Sequence, residues 1–511
     1  MPAEIDSRES DKPTHNCGIG LIYSFSPQDL RSDLFGIGHA LQHRGQFGAG
    51  IATDTGFLVS GSGLLKDAID PNVLGIQLQN YWAMIHLRYG TSGGYGSENM
   101  QPVEVEIEGQ KVHIAVNGNI PNPQRLRKYI TKDLPPDASD TVLAAHVFAS
   151  LQGVSMDERV LQFANLPEIA SAANNMIIGA GENAYVVRDQ FGLHPLVIGD
   201  YKNGGGVVIA SETAALQKIG SQVIGEFPPG AILKCSPDGH IYLQEGTSSQ
   251  EHHSCIFEPA YFSSPNSAFA PQEHMTPEEW MSVLQFRIHT GEIVARDHPV
   301  PHADFVVGMP DSGVPFSAGL ASGLKKPYYP SVIRSHYNGD SEITRTFMQD
   351  NDMGGIAALV RGKLMPVVDP RLWKDKVVVI GDDSLVRGNT AEVVTKMLRR
   401  LGAKEIHWRY GYPPVQWPCH LGVSFRSREE LLAAQMGNDW GKIANFIGAD
   451  SVAFISHEGI IQAAREFQGI MRPRNQDEIY MANGFCGGCV TGVYPVNSKG
   501  TIFDYNKQRI Q

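Results

Sequence analysis

The chain has 511 residues, 42% of them hydrophobic and 19% charged, a composition that fits an ordinary globular protein of two or three domains. A net charge of −12 argues against a nucleic-acid partner bound by phosphate neutralisation, but leaves room for a local basic pocket. There is no apolar run of about eighteen residues to cross a membrane, no apolar signal core in residues 1–16, and six cysteines are too few for a disulfide scaffold. A cytoplasmic protein without a membrane partner is expected.

The first half reads as strand-rich. "CGIGLIYSF", "YWAMIHLRY", "KVHIAVNGNI", "NNMIIGAGENAYVVRDQ" and "GGGVVIAS" are apolar or β-branched runs closed by Gly, Asn or Asp. Helical patterns lie between them: "LRSDLFGIGHALQH", "NPQRLRKYI" and "SDTVLAAHVFASLQG", the last capped by Ser139 or Asp140. "PPGAILKCSPDGHIYLQ" closes this half as a hairpin turning on Asp-Gly. After the polar stretch "EGTSSQEHHS" the pattern changes, which puts a domain boundary near residue 250. "WMSVLQFRIHTGEIVARDH" reads as a long helix, "ADFVVGMPDSG" as strand and loop, "VPFSAGLASGL" as a helix. From Lys376 to Tyr412 the order strand, loop, helix, strand is a βαβ unit and implies a parallel sheet. From Glu466 on the chain reads as an irregular tail carrying "CGGC".

The most informative stretch of the second half is "VVVIGDDSLVRGNT". Its strand ends in two acids just before a helix, where open α/β sheets bind ligands. Backbone N–H groups of a glycine loop at a helix N-terminus suit a phosphate, and the acids suit ribose hydroxyls or Mg²⁺. The plainer alternative is a helix start with two acids at its positive end. Cys17, in "THNCGIGL", is open to three readings: a packed core residue, a disulfide half, or a nucleophile at a cleavage boundary.

The combination DDS-x-x-RG-x-T resembles the 5-phosphoribosyl-1-diphosphate (PRPP) loop of the type I phosphoribosyltransferases. The resemblance implies that Asp382 and Asp383 hold the ribose hydroxyls and help place Mg²⁺, while Ser384, Arg387, Gly388 and Thr390 wrap the 5′-phosphate. "GMPDSG" at 308–313 resembles the diphosphate loop, with Ser312 on the metal side; Asp311 is alternatively a helix cap. "RGKL" at 361–364 also resembles the family pattern, which implies that Arg361 and Lys363 are diphosphate-side cations.

In the first half "CGIG" (17–20), "HRGQFGAGI" (43–51), "HLRYGTSG" (86–93), "QP" (101–102), "NGN" (117–119), "SDT" (139–141), "RDQFGLHPL" (188–196) and "SET" (211–213) follow in order. Joined to the PRPP loop, the set resembles the glutamine phosphoribosyldiphosphate amidotransferase family over nearly the whole chain. The resemblance implies an α+β N-terminal-nucleophile (Ntn) hydrolase domain of four αββα layers at 17–250, behind a leader at 1–16. An α/β phosphoribosyltransferase domain at 251–465 and a segment at 466–511 follow. Cys17 is then the nucleophile and its freed α-amine the base; a peptide nitrogen could not serve. Asn117 and the Gly118 N–H form the oxyanion hole, Arg88 takes the glutamine α-carboxylate and Asp140 the α-ammonium.

"CGGC" alone leaves zinc, an iron–sulfur cluster or a redox pair open. Resemblance to the cluster-bearing branch of the family implies a [4Fe–4S] cluster on Cys255, Cys419, Cys486 and Cys489, with zinc as runner-up. Cys235 matches nothing and reads as a packed strand residue. The implied activity makes 5-phosphoribosylamine from PRPP and glutamine with Mg²⁺, in a homo-oligomer inhibited by purine nucleotides. The alternatives are a sister amidotransferase on another sugar phosphate and a non-catalytic PRPP or nucleotide sensor. The sensor is motivated by two departures from the family pattern, Phe47 in "HRGQF" and the altered segment 333–348; Val116, His194 and "SSPNS" at 263–267 depart from it as well.

Overall fold

Apolar runs in the first half build two antiparallel sheets that pack face to face, their central strands buried on both faces. The protein is seen in a computed structural model that describes residues 17–70, 79–89, 99–152, 155–246, 252–270, 275–334, 364–419, 421–423, 425, 427–465, 471–472 and 474–495. The leader 1–16, Arg361, Lys363 and residues 335–348 of the altered segment lie outside the described residues.

The first sheet takes β1 (Gly18–Gln28), β2 (Gly48–Thr53), β3 (Leu58–Ser62), β4 (Asn80–Arg88), β9 (Val197–Tyr201), β10 (Gly206–Ala210) and β11 (Gln222–Glu226), in the order β11-β9-β10-β1-β4-β2-β3. The second takes β5 (Val103–Ile107), β6 (Gln110–Asn119), β7 (Ala173–Ala180), β8 (Asn183–Arg188), β12 (Ile232–Ser236) and β13 (Gly239–Gln244), in the order β13-β12-β8-β7-β6-β5. Ile19, Leu21 and Tyr23 of β1 pack inward against Ala115, Ile177, Val186 and Leu233 of the facing sheet. Ile22, on the opposite face of β1, packs with Leu34, Ile37 and Leu41 of the helix Arg31–Leu41. On the far side Leu143, Val147 and Phe148 of the helix Asp140–Ser150 cover Ile114, Met176 and Ile178. This is the expected four-layer αββα arrangement.

The second half opens with β14 (Ser254–Cys255) and a small ribbon of β15 (Ala268–Phe269) with β16 (Met281–Ser282). Ser282 then caps the helix Val283–Asp297 by accepting the Gln285 N–H, so the helix starts later than the sequence pattern predicts. A parallel sheet follows, built of β17 (Phe305–Gly308), β20 (Val377–Asp382), β21 (Glu405–Tyr410) and β22 (Ser451–Phe454) in that order. Val378 and Ile380 face one core and Val377 and Val379 the other; burial on both faces is why β20 reads as unbroken apolar sequence. A second ribbon pairs β18 (Val332–Arg334) with β19 (Leu364–Pro366).

Two local readings change. "NPQRLRKYI" forms a 3₁₀ helix, Pro123–Tyr129, with Pro at its start. The irregular tail is ordered where it is described: β23 (Phe485–Cys486) pairs in parallel with β14, between the helical turns Ile479–Ala482 and Gly488–Thr491. Tyr480, Phe485, Cys489 and Val490 are buried in the core of the second half. Elements of two to four residues have no period for a sequence pattern to reveal.

Candidate functional site

Strand register brings Cys17 to its neighbours. Gly18 pairs with Leu87, so Cys17 at the head of β1 emerges beside Arg88 at the tail of β4. Asp140, first residue of its helix, is fixed by the Ile120 N–H to Oδ2 (3.2 Å) and the Thr141 N–H to Oδ1 (2.9 Å), while Ser139 caps the helix. Gln101 ties this helix to the next strand: its Nε2 donates to Thr141 Oγ1 (3.0 Å) and its Oε1 accepts the Val116 N–H (2.7 Å). β6 thereby carries Asn117 and Gly118 to the same end of the sandwich.

The electrostatics suit glutamine. Burial pushes the Cys17 thiol up, against a hydrogen bond from the Tyr89 backbone and the charges of Arg88 and Arg44, while Asp140 adds to the rise. Burial also raises Asp140, opposed by its two N–H donors and by Arg88. A buried carboxylate poised in this way favours an ammonium ligand. Asn117 is buried, and its Nδ2 has no hydrogen-bond partner among the described residues, as an oxyanion donor awaiting substrate would be. Gly118 has to be glycine: a Cβ there would stand 2.0 Å from the Ala173 carbonyl oxygen.

Arg44, to which the sequence reading assigned no role, anchors Cys17. Its Nε donates to the Cys17 carbonyl at 3.2 Å, and its Nη atoms reach Glu212 (2.6 Å) and Glu258 (3.1 and 3.2 Å). Burial works against these charges, yet Glu258 and Glu212 keep the Arg44 guanidinium charged, and His43 with Arg44 holds Glu212 well below the usual carboxylate range. His194, where the family has arginine, bonds Glu258 through Nδ1 (2.9 Å) and the Leu421 carbonyl through Nε2 (3.1 Å). The "SSPNS" variant also feeds this network, because the Ser264 N–H and the Ser267 hydroxyl both donate to Glu212. Phe47 packs edge-on to Tyr89, with ring centroids 5.0 Å apart. The clue in the sequence was an arginine inside "HRGQ" and glutamates inside "SET" and "SCIFEP", too far apart to be paired on paper.

In the second half Asp382, Asp383 and Ser384 are buried at the carboxyl end of β20. The Asp383 N–H donates to Asp382 Oδ1 (2.9 Å), and the Ser384 hydroxyl to Asp383 Oδ1 (2.7 Å). The Ser312 hydroxyl donates to Asp383 Oδ2, which joins the GMPDSG loop to the acidic one. Asp311 is no side-chain cap: it is exposed and pairs with Arg334 at 2.5 Å, and the N-cap position belongs to Ser312. Gly388 (φ 85°) is the N-cap of the helix Asn389–Arg400, a left-handed conformation that favours glycine, with Thr390 in the first turn. Arg387 turns to Glu430, 2.5 Å away.

Four cysteines gather behind the network. Cys255 and Cys486 are register partners in the β14–β23 pair, and all four free thiols are pushed up by burial, Cys489 to about 12. The Leu421 N–H donates to Cys419 Sγ (3.4 Å), and the Tyr412 hydroxyl lies 3.3 Å from Cys489 Sγ. Among the described residues the only group of three or more ligand atoms within 4.8 Å of one another lies elsewhere. No three of the sulfurs therefore lie within 4.8 Å of one another, whereas all the edges of a tetrahedral zinc–thiolate site are about 3.8 Å. Cys235 is a buried β12 residue, as expected.

Known proteins carry the same arrangement. Residues 296–408 match a phosphoribosyl transferase domain and residues 94–218 a glutamine amidotransferase domain. Amidophosphoribosyltransferase 1 of Arabidopsis thaliana is 34% identical over 96% of this chain and 80% of its own length. The chain belongs to the amidophosphoribosyltransferase family. The Synechococcus elongatus amidophosphoribosyltransferase is 31% identical over 97% of this chain and 94% of its own. Among solved structures, the Bacillus subtilis glutamine PRPP amidotransferase complexed with ADP and GMP superposes with a TM-score of 0.77 at 28% identity. That match covers 96% of this chain and 100% of the other. Among the described residues no helix of this amidophosphoribosyltransferase is long and apolar enough to cross a membrane.

Proposed function

We propose that the protein makes 5-phosphoribosylamine from PRPP and glutamine, with Cys17 as the glutaminase nucleophile and the Asp382–Thr390 loop as the PRPP site. The observation that carries the assignment of Cys17 is its place at the head of β1, beside Arg88 by strand register and within the electrostatic reach of Asp140, while Asn117 Nδ2 on the facing sheet has no partner among the described residues.

Once the chain begins at Cys17, its α-amine accepts the thiol proton, which burial otherwise holds on sulfur. The thiolate attacks the side-chain amide carbon of glutamine, and Asn117 Nδ2 with the Gly118 N–H receives the negative oxygen. As this adduct collapses, the leaving amide nitrogen takes the proton from the α-ammonium and departs as ammonia, leaving a thioester that water hydrolyses to glutamate. Arg88 and Asp140 hold the substrate α-groups while Arg44 fixes the Cys17 carbonyl. In the second half ammonia displaces diphosphate from the anomeric carbon. Asp382, Asp383 and Ser312 would hold Mg²⁺, which neutralises charge on the leaving diphosphate, and the loop N–H groups take the 5′-phosphate.

Cys255, Cys419, Cys486 and Cys489 form a donor set that fits a [4Fe–4S] cluster better than zinc, because no three of their sulfurs lie within 4.8 Å of one another and two of them have hydrogen-bonding neighbours. The cluster's role is structural, tying β14 to β23. Purine nucleotides are the expected inhibitors, given the ADP and GMP named with the Bacillus subtilis structure. Six free cysteines suit the reducing cytoplasm.

The test is stoichiometry. Anaerobically purified protein given glutamine, PRPP and Mg²⁺ is expected to release glutamate and diphosphate one to one. Glutamate without diphosphate would favour another sugar phosphate, and neither product would favour a sensor.

A further inference from the structure

The amino-terminal end of the parallel sheet, remote from the PRPP loop, carries a group of side chains that the amidotransferase reaction does not use. Glu405 and His407, two residues apart and so on one face of β21, meet His302 from the turn before β17. The Asp382–Gly388 loop leaves the other end of β20, about 17 Å away along the strand.

Glu405 Oε2 lies 2.9 Å from His302 Nε2 and 3.3 Å from His407 Nε2, and all three ligand atoms are within 4.8 Å of one another. The two imidazole rings stand nearly perpendicular, at 85° with centroids 5.6 Å apart. A tetrahedral zinc-type ion with bonds of about 2.0–2.1 Å sets ligand atoms about 3.3–3.4 Å apart. The carboxylate–imidazole spacings are already within a few tenths of an ångström of that. His407 Nδ1 bonds Ser451 Oγ at 2.8 Å, which leaves Nε2 as the inward atom, the outer-shell hydrogen bond that orients metal-bound histidines. Arg409 also donates to Ser451 Oγ (3.1 Å) and otherwise turns to the carbonyls of His298 and Trp408. Lys404 approaches the other Glu405 oxygen at 3.7 Å, opposing a cation, but it is 64% exposed and free to swing into solvent. His302 is exposed, which gives an ion an entry path and room for water ligands.

We propose that His302, Glu405 and His407 form a site for one divalent transition-metal ion of the zinc class, completed by water. Two imidazoles and one carboxylate favour such ions over Mg²⁺. Bound there, the ion would clip the turn before β17 to β21 across the amino-terminal end of the sheet, past β20.

The experiment is equilibrium dialysis of the full cluster-loaded chain against Zn²⁺, comparing wild type with His302→Ala. The cysteine set is common to both and cancels in the difference. Wild type should hold one more equivalent than His302→Ala, whose changed side chain is exposed and leaves the fold intact. Ser451→Ala, which removes only the orienting hydroxyl, should weaken that equivalent about 10- to 100-fold. Zn²⁺ should raise the unfolding temperature of wild type and leave that of His302→Ala unmoved. Equal zinc content in wild type and His302→Ala, or an equal thermal response, would overturn the proposal.

Discussion

Replacing Asn117 by alanine removes a donor that the folded protein does not otherwise use. Nδ2 is buried without a partner among the described residues, so no hydrogen bond is broken in the resting enzyme. An unsatisfied buried polar group costs about 1–3 kcal/mol. Relieving it offsets the packing lost with the side chain, and stability should stay within about 1 kcal/mol of wild type. Catalysis should behave differently, because the donor acts only when negative charge forms on the substrate oxygen. Loss of one oxyanion donor costs about 100- to 1000-fold in kcat, or roughly 2.7–4 kcal/mol. The assay is glutamate release at saturating glutamine with PRPP and Mg²⁺, alongside ammonium-driven diphosphate release as an internal control. KM for glutamine should move little, since Arg88 and Asp140 grip the α-groups, and the ammonium-driven rate should not move. A kcat loss under about 10-fold, or a matching fall in the ammonium-driven rate, would refute the oxyanion assignment.

Other outcomes follow from the same geometry. Arg44→Met strands Glu212 and Glu258 without their guanidinium, and should lower stability by about 3–5 kcal/mol in chemical denaturation of the cluster-loaded protein; a loss under 1 kcal/mol contradicts the network. Asp54, whose Oδ1 has no partner among the described residues, is pushed by burial to about 6. A carboxyl raised in the fold binds more protons folded than unfolded between its two pKa values, so its contribution to stability falls as pH rises from about 4 to 6. Asp54→Asn should therefore raise the melting temperature more at pH 7.5 than at pH 4.5; an equal shift at both would contradict this. Mass spectrometry of fully active protein should find Cys17 first, and an intact Met1 would sink the maturation step.

What was legible in the sequence was local. Cys17 with its glycines, the DDS loop and the NGN turn each sit within a few residues, and β1, β6 and β20 announce themselves by alternation or by unbroken apolar runs. The buried network was not legible, because Arg44 and Glu258 are 214 residues apart and only the docking of the two halves brings them together. The departures noted as anomalies become intelligible in space: His194 and the "SSPNS" serines supply hydrogen bonds to the two network glutamates. Arg387 shows the converse, a residue placed in the phosphate loop by resemblance whose guanidinium is held by Glu430.

The most direct test separates the two halves with one substitution. Matured Cys17→Ala enzyme, given PRPP and Mg²⁺, should release diphosphate with ammonium at the wild-type rate and none with glutamine. Glutamine-driven diphosphate release by Cys17→Ala, or no ammonium-driven release even by wild type, would contradict a Cys17 glutaminase feeding ammonia to a PRPP site.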